Sequence, residues 1–251
     1  MIKLKSTREI KLMREAGKIV GEVLQEMENS INIGITTAML NKIAERLIRR
    51  YGAEPAFLGY NNFPASICTS VNNEVVHGIP GLRRLEEGDI ISIDVGVRLK
   101  GYYGDAAATF AVGKISPQAR KLINVTRMSL QKTIEVMRAG KRLSDLSHAV
   151  QTYVEQNSFS IVRNYVGHGI GEEMHEEPQV PNFGLPGHGP LLQPGIVLAI
   201  EPMVNAGTWE VKVLEDQWTV VTCDGSLSAH FEHTVALSEN GPEVLTSSSL
   251  S

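Results

Sequence analysis

The sequence places carboxylates where carboxylates are costly. Asp94 sits between Ile93 and Val95, and Asp105 stands directly before Ala106-Ala107-Ala108. Both fall in IISIDVGVRLKGYYGDAAATF, residues 90–110. The alternation of Ile91, Ile93, Val95 and Val97, followed by Lys-Gly and Tyr-Gly pairs, predicts a β-hairpin turning within residues 98–104. Asp is depleted in strands, and a charge among apolar neighbours must be paired or bound to a metal. Two such residues on adjacent arms can face each other across the ladder, where like charges repel and call for a cation. The plainer alternative is an edge hairpin with two solvated aspartates.

Two further acids sit in similar surroundings. Glu201 follows the apolar run of LQPGIVLAIEPMV, residues 192–204, and Glu232 opens the strand-like HTVAL in HFEHTVAL, residues 230–237. The glycine-rich YVGHGIGEEMHEEP, residues 165–178, carries His168 and His175. Glycines on both sides of His168 let the backbone approach closely and leave the imidazole open to a ligand. Taken alone, this segment reads as readily as an acidic surface loop.

Four carboxylates and an imidazole form a hard, oxygen-rich donor set without thiolate. It suits Co, Mn, Fe(II), Zn or Ni rather than a structural zinc site. Two divalent ions balance four converging carboxylates, where one does not. Ion pairs about 3.5–4 Å apart serve hydrolysis by activating water and polarising a carbonyl.

These residues need a scaffold, and the flanking sequence supplies one. Ser6-Thr7-Arg8-Glu9 has capping-box spacing, with Ile10, Met13, Gly17, Val20 and Met27 following at helical period. A second helix is expected from Gly34–Thr37, with Leu40, Ile43 or Ala44, and Leu47 or Ile48 as its buried stripe. Ile67, Thr69 and Val71 alternate as a strand before a turn at Asn72-Asn73. Ser116-Pro117 opens a third helix that stops at Gly140, and a fourth begins near Ser144. Loops and strands fill the rest, and the tail from Thr246 to Ser251 is expected to fray.

The halves repeat. GITTAML, residues 34–40, aligns with GKRLSDL, residues 140–146, and residues 85–97 align with 192–204. The second block places Leu85 on Leu192, Gly88 on Gly195 and Asp94 on Glu201, so the repeat preserves the acid.

Composition narrows the function. A net charge of −4 without basic clusters argues against a nucleic-acid-binding module. No apolar run approaches the roughly 20 residues that span a bilayer, and no secretory signal opens the chain. Cys68 and Cys223 are the two cysteines, too few for a disulfide framework. A reduced, cytoplasmic enzyme is expected.

Asp94, Asp105, His168, Glu201 and Glu232, in this order, resemble the ligand set of the methionine aminopeptidases. YVGHGIG…MHEEPQVPNF, EPMV at 201–204 and FEHT at 231–234 carry the likeness, which extends over essentially the whole chain. The resemblance implies an α+β pita-bread fold, a curved antiparallel sheet backed by two helix pairs. It implies one catalytic domain, residues 1–251, with halves of about 1–115 and 116–251. Asp94 would chelate one ion and His168 with Glu201 the other, while Asp105 and Glu232 bridge. His77 and His175 would face the substrate, and Glu201 would also accept a proton from the attacking water. Tyr60, Phe63, Cys68 and Trp218 fall in the stretches that form the methionine pocket. Met174 stands where an aromatic residue often precedes the histidine, which alters the expected pocket shape.

The implied substrates are nascent polypeptides and peptides with N-terminal Met before a small, uncharged residue. A monomer is implied, with no membrane or nucleic-acid partner; transient ribosome contact is left open. The short Glu201–Glu232 interval favours type I. The rivals are a prolidase-like or X-Pro aminopeptidase and a pita-bread binding module without catalysis. The first usually carries an extra N-terminal domain, and the second would not need five ligands and two histidines.

Overall fold

Ser6 starts the first helix as its sequence requires. In the computed structural model, which describes residues 2–247, its side chain accepts from the Glu9 amide while Glu9 Oε2 accepts from the Ser6 amide at 2.7 Å. Such a cap is worth about 1 kcal/mol. Helix α1 (Thr7–Ser30) buries Ile10, Met13, Val20, Val23 and Met27, and α2 (Thr37–Arg50) buries Leu40, Ala44 and Ile48. They pack together, as do α3 (Pro117–Val136) and α4 (Leu143–Gln156).

Strands β1 (Cys68–Val71), β2 (Glu74–Val76), β3 (Ile90–Leu99) and β4 (Tyr102–Ala111) belong to the first half. The second half contributes β5 (Gly167–Gly169), β6 (Glu176–Val180), β7 (Val197–Ile200), β8 (Met203–Asn205), β9 (Ser228–His230), β10 (His233–Ser238) and β11 (Gly241–Val244). Every strand pair is antiparallel among the described residues. One sheet sets β3 between β1 and β4; another runs β11-β10-β7-β5-β6. Helix α1 lies against β3 and β4. Its Gly17 meets Gly104 of β4 so closely that a Cβ on Gly104 would stand 2.8 Å from the Gly17 nitrogen. Ile91, Ile93, Val95 and Val97 of β3 are buried in the core under α1 and α2, each contributing about 1.5–3 kcal/mol.

The hairpin turn is tighter than the sequence suggests. Leu99 pairs with Tyr102, so the turn is Lys100-Gly101, with φ of 51° and 86°. Positive φ at both central positions is the turn whose twist matches the flanking strands. The aspartates are consequently diagonal, Asp94 opposite Ala107 and Asp105 opposite Gly96. Both still project from the same face, because side chains two residues apart share one.

Corresponding hydrogen bonds occur in the two pairs of segments that align in the sequence. The Gly34 amide donates to Leu85 O at 2.7 Å, and the Gly140 amide to Leu192 O at 3.0 Å. The return bonds also correspond, Leu85 N–H to Ile35 O and Leu192 N–H to Lys141 O. The halves meet along β4. Ala107 and Glu232 exchange backbone bonds at 3.3 and 2.9 Å, Asp105 bonds Thr234 in both directions, and Thr109 does the same with His230. The expected fraying fails at Thr246, which is buried and accepts from the Thr234 amide. Residues 248–251 of that tail lie outside the described residues.

Candidate metal and active site

A cavity of about 250 Å³ opens where the halves meet. Asp94, Asp105, His168, Glu201 and Glu232 line it, together with His77, His175, Tyr60, Phe63, Cys68 and Trp218. The structure thus brings together every residue singled out in the sequence. Met174 lines it too, buried against Phe57, Phe63 and Cys68, so it does shape the wall. Phe57 and Asn61 are lining residues that the sequence did not reveal.

Each acid is placed by a backbone feature. Asp94 is internal to β3, and Asp105 is held in β4 by Thr234 of the other half. Glu201 falls in the break between β7 and β8, where Pro202 withholds a ladder donor. Its carbonyl is fixed by Asn182 Nδ2 at 3.0 Å. Glu232 sits in the short gap between β9 and β10. His168 lies on β5 between two glycines. A Cβ on Gly167 would overlap the Ala199 carbonyl, and one on Gly169 the Glu177 carbonyl. This is the close backbone approach expected from the sequence.

His168 Nδ1–H donates to the Gly169 carbonyl at 2.9 Å, which leaves a lone pair on Nε2. That lone pair faces Glu201 Oε1 at 3.6 Å, a pair of acceptors that needs a proton or a cation between them. Asp94 Oδ1, Asp105 Oδ1 and Glu232 Oε1 are also buried without a hydrogen-bond partner. Buried acceptors in this condition call for a proton or a cation. Ligand atoms of Asp105, His168 and Glu232 lie within 4.8 Å of one another, as do those of Glu201, His230 and Glu232. The donor set therefore fits divalent metal.

Without a cation, burial raises the pKa of all four acids, and neighbouring acids raise those of Asp105, Glu201 and Glu232 further. Burial pushes Asp94 up to about 7. Asp105, Glu201 and Glu232 stand well above the carboxylate range, through burial first and their neighbouring acids second. Burial lowers His77 and His168 to about 4 and His230 to about 3. Cys68 is pushed far up by burial and by Asp94, its partner across the ladder, so it is a packing thiol rather than a thiolate ligand.

These shifts have a consequence for stability. Acids whose folded pKa is raised destabilise the fold as pH climbs, since the unfolded chain releases its protons first. Their stabilising protons are all present below about pH 4 and, for Asp94, are lost by about pH 7. Up to about pH 6.5 the buried histidines His77, His168, His230 and His233 oppose this slope, because the unfolded chain holds protons that their lowered pKa values make the folded chain release. Chelator-treated protein is therefore expected to lose Tm steadily above about pH 6.5. Added divalent ion, which takes the deprotonated ligands, should reverse the slope. Thermal unfolding at several pH values, with and without Mn(II), measures this. A Tm for the chelated protein that stays flat above about pH 6.5 would refute it.

The histidines at the mouth are also held. His77 adopts φ of 60°, a left-handed conformation strained for a non-glycine residue. Its ring stands edge-on to Tyr165 at 5.7 Å and Trp218 at 6.2 Å. The Tyr60 hydroxyl lies 2.7 Å from His175 Nδ1, and the His168 and His175 rings are 4.3 Å apart. Next to His175, Glu176 forms a buried pair with Lys5 at 2.6 Å and accepts from the Glu172 and Glu173 amides. The chain's first residues thereby clamp the loop that carries Met174 and His175.

Comparison with known proteins decides the family. The model of metallopeptidase family M24 matches residues 11–239. A protein of Clostridium acetobutylicum described as a methionine aminopeptidase is 58% identical over 247 residues, covering 98% of this chain and 99% of that one. The chain belongs to the methionine aminopeptidases of metallopeptidase family M24. Methionine aminopeptidase 1 of Bacillus subtilis is 56% identical, over 98% and 99% of the two chains. The crystal structure of the Rickettsia prowazekii methionine aminopeptidase superposes with a TM-score of 0.97 at 42% identity, over 98% of this chain and all of that one. Membership makes the protein a metallo-exopeptidase, and its architecture the pita-bread fold expected from the sequence. No helix among the described residues is long and apolar enough to cross a membrane.

Proposed function

We propose that this chain removes N-terminal methionine from nascent proteins and peptides whose second residue is small and uncharged. The whole chain acts as one catalytic domain, a cytoplasmic monomer. The observation that carries the reading is the cavity itself, with four buried acids and His168 on one side and an apolar wall on the other. Its volume, about 250 Å³, lies below the roughly 300–1,000 Å³ of sites for drug-sized ligands. It admits a single residue rather than a length of peptide.

Asp94, Asp105, His168, Glu201 and Glu232 would hold two divalent ions, Asp105 and Glu232 shared between them. Such a pair supplies an activated water and polarises the scissile carbonyl. Glu201 receives the proton of the attacking water. His77 and His175, at the mouth, bond the scissile peptide and stabilise charge on its oxygen. Phe57, Phe63, Cys68, Met174 and Trp218 enclose the methionine side chain, with Phe63 and Trp218 edge-to-face at 5.1 Å. Tyr60 orients His175 through its hydroxyl.

The test joins metal content to turnover. Mn(II)-loaded protein is expected to hold two ions per chain and to release free Met from Met-Ala-Ser. Preference for X-Pro peptides over Met-Ala-Ser would mark a prolidase-like enzyme. Two bound ions without turnover of either would mark a binding module.

A further inference from the structure

His230 belongs to none of the roles above, yet it points at the acid cluster. Its side chain is 1% exposed, and its Nε2 has no hydrogen-bond partner. That atom lies 3.9 Å from Glu201 Oε2 and 4.0 Å from Glu232 Oε2. The residue is fixed from both halves. Its amide donates to Thr109 Oγ1 at 2.9 Å, its carbonyl accepts from the same hydroxyl, and in β9 it pairs with Met203 of β8.

Glu201 is thus flanked by two imidazoles, one on each oxygen. On the His168 side the ring proton is spent on Gly169, and two lone pairs face each other, which calls for a cation. On the His230 side a lone pair on Nε2 would face two carboxylates and call for a third ion, or for one of the two as a direct ligand, the outcome the titration separates. Charge balance excludes the third ion. Two divalent ions already neutralise four carboxylates, and a third would leave +2 in a buried site. A proton on Nε2 meets both carboxylates without adding charge. The oxygen positions adjust cheaply, because the terminal torsion of Glu is broad.

We propose that His230 is a positioning residue for the metal ligands, donating its Nε2 proton to Glu201 and Glu232 so that their remaining oxygens are presented to the ions. The inference rests on the dinuclear reading of the site. Buried partners of metal ligands typically change affinity by about 10–100-fold when removed.

Mn(II) titration of the metal-free protein by calorimetry, on wild type, His230→Gln and His230→Leu, tests it. His230→Leu should weaken at least one ion by about 10–100-fold while two still bind. His230→Gln keeps an Nε2–H donor and should bind within about threefold of wild type. Unchanged affinity in His230→Leu would overturn the proposal. Equal loss in both variants would overturn it too, making His230 a direct ligand. Should His230→Leu fail to fold, nitrogen NMR of the Zn-loaded wild type decides: a protonated Nε2 at His230 supports the assignment, and an unprotonated or metal-bound Nε2 refutes it. A wild type that binds fewer than two ions would instead defeat the dinuclear reading, and this inference with it.

Discussion

Asp105→Asn and Glu232→Gln are each expected to abolish peptide hydrolysis while leaving the fold intact. These acids are the deepest in the site, 5% and 2% exposed, and each has an oxygen without a hydrogen-bond partner. Each would face both ions, so its loss removes charge compensation from two cations at once. Lewis-acid stabilisation of several kcal/mol corresponds to a fall in kcat/KM of about 10³-fold or more. The unfolding behaviour should move the other way. Without metal, the four acids repel and hold protons at high pH, so deleting one should raise the Tm of chelated protein. Wild type should gain strongly from Mn(II), and the variants should gain little. Metal content, kcat/KM and Tm measured on the same samples check this. Near-normal turnover with two bound ions in either variant would remove the acid from the site.

The acids were legible in the sequence because they violate local rules. Asp94 inside an apolar strand and Asp105 before three alanines have no stabilising partner in their own segments. The repeat was legible for a related reason, since Gly88 and Gly195 both take positive φ, 99° and 94°, at equivalent turns. His230 was not legible. In HFEHT it is a strand residue beside an acid, and its meaning depends on Glu201, which another strand delivers. Phe57 and Asn61 escaped for the same reason, as loop residues whose partners lie far along the chain. The diagonal placement of Asp94 and Asp105 turns on the two-residue loop, which Lys-Gly signals but Tyr-Gly obscures. Strands of two or three residues in the second half, such as β8 and β9, are too short to show any period. What identifies them is pairing across the molecule.

Acylation of the substrate amine should stop the reaction, and the second residue should control its rate. If methionine fills the apolar wall made by Phe63, Met174 and Trp218, the amine end meets the acid cluster at the cavity floor. A formyl or acetyl group brings an oxygen toward carboxylates and puts an amide where a free amine would meet the metal ligands. One residue further on, the substrate passes His77, whose ring is fixed against Tyr165 and Trp218. The backbone next to His77 is packed closely as well: a Cβ on Gly78 would overlap the Thr69 carbonyl. Met should therefore be released quickly before Gly, Ala, Ser, Thr, Cys, Pro or Val. Before Leu, Phe, Lys or Glu, kcat/KM should fall on the order of 10²-fold. Leu in place of the N-terminal Met should cost less, since an apolar pocket separates near-isosteres by only about 1–3 kcal/mol. A peptide series measured at one metal concentration gives all of these ratios. Equal rates for Met-Ala and Met-Lys, or efficient cleavage of formyl-Met-Ala, would show that the wall does not confine the substrate and that the enzyme is a broader peptidase.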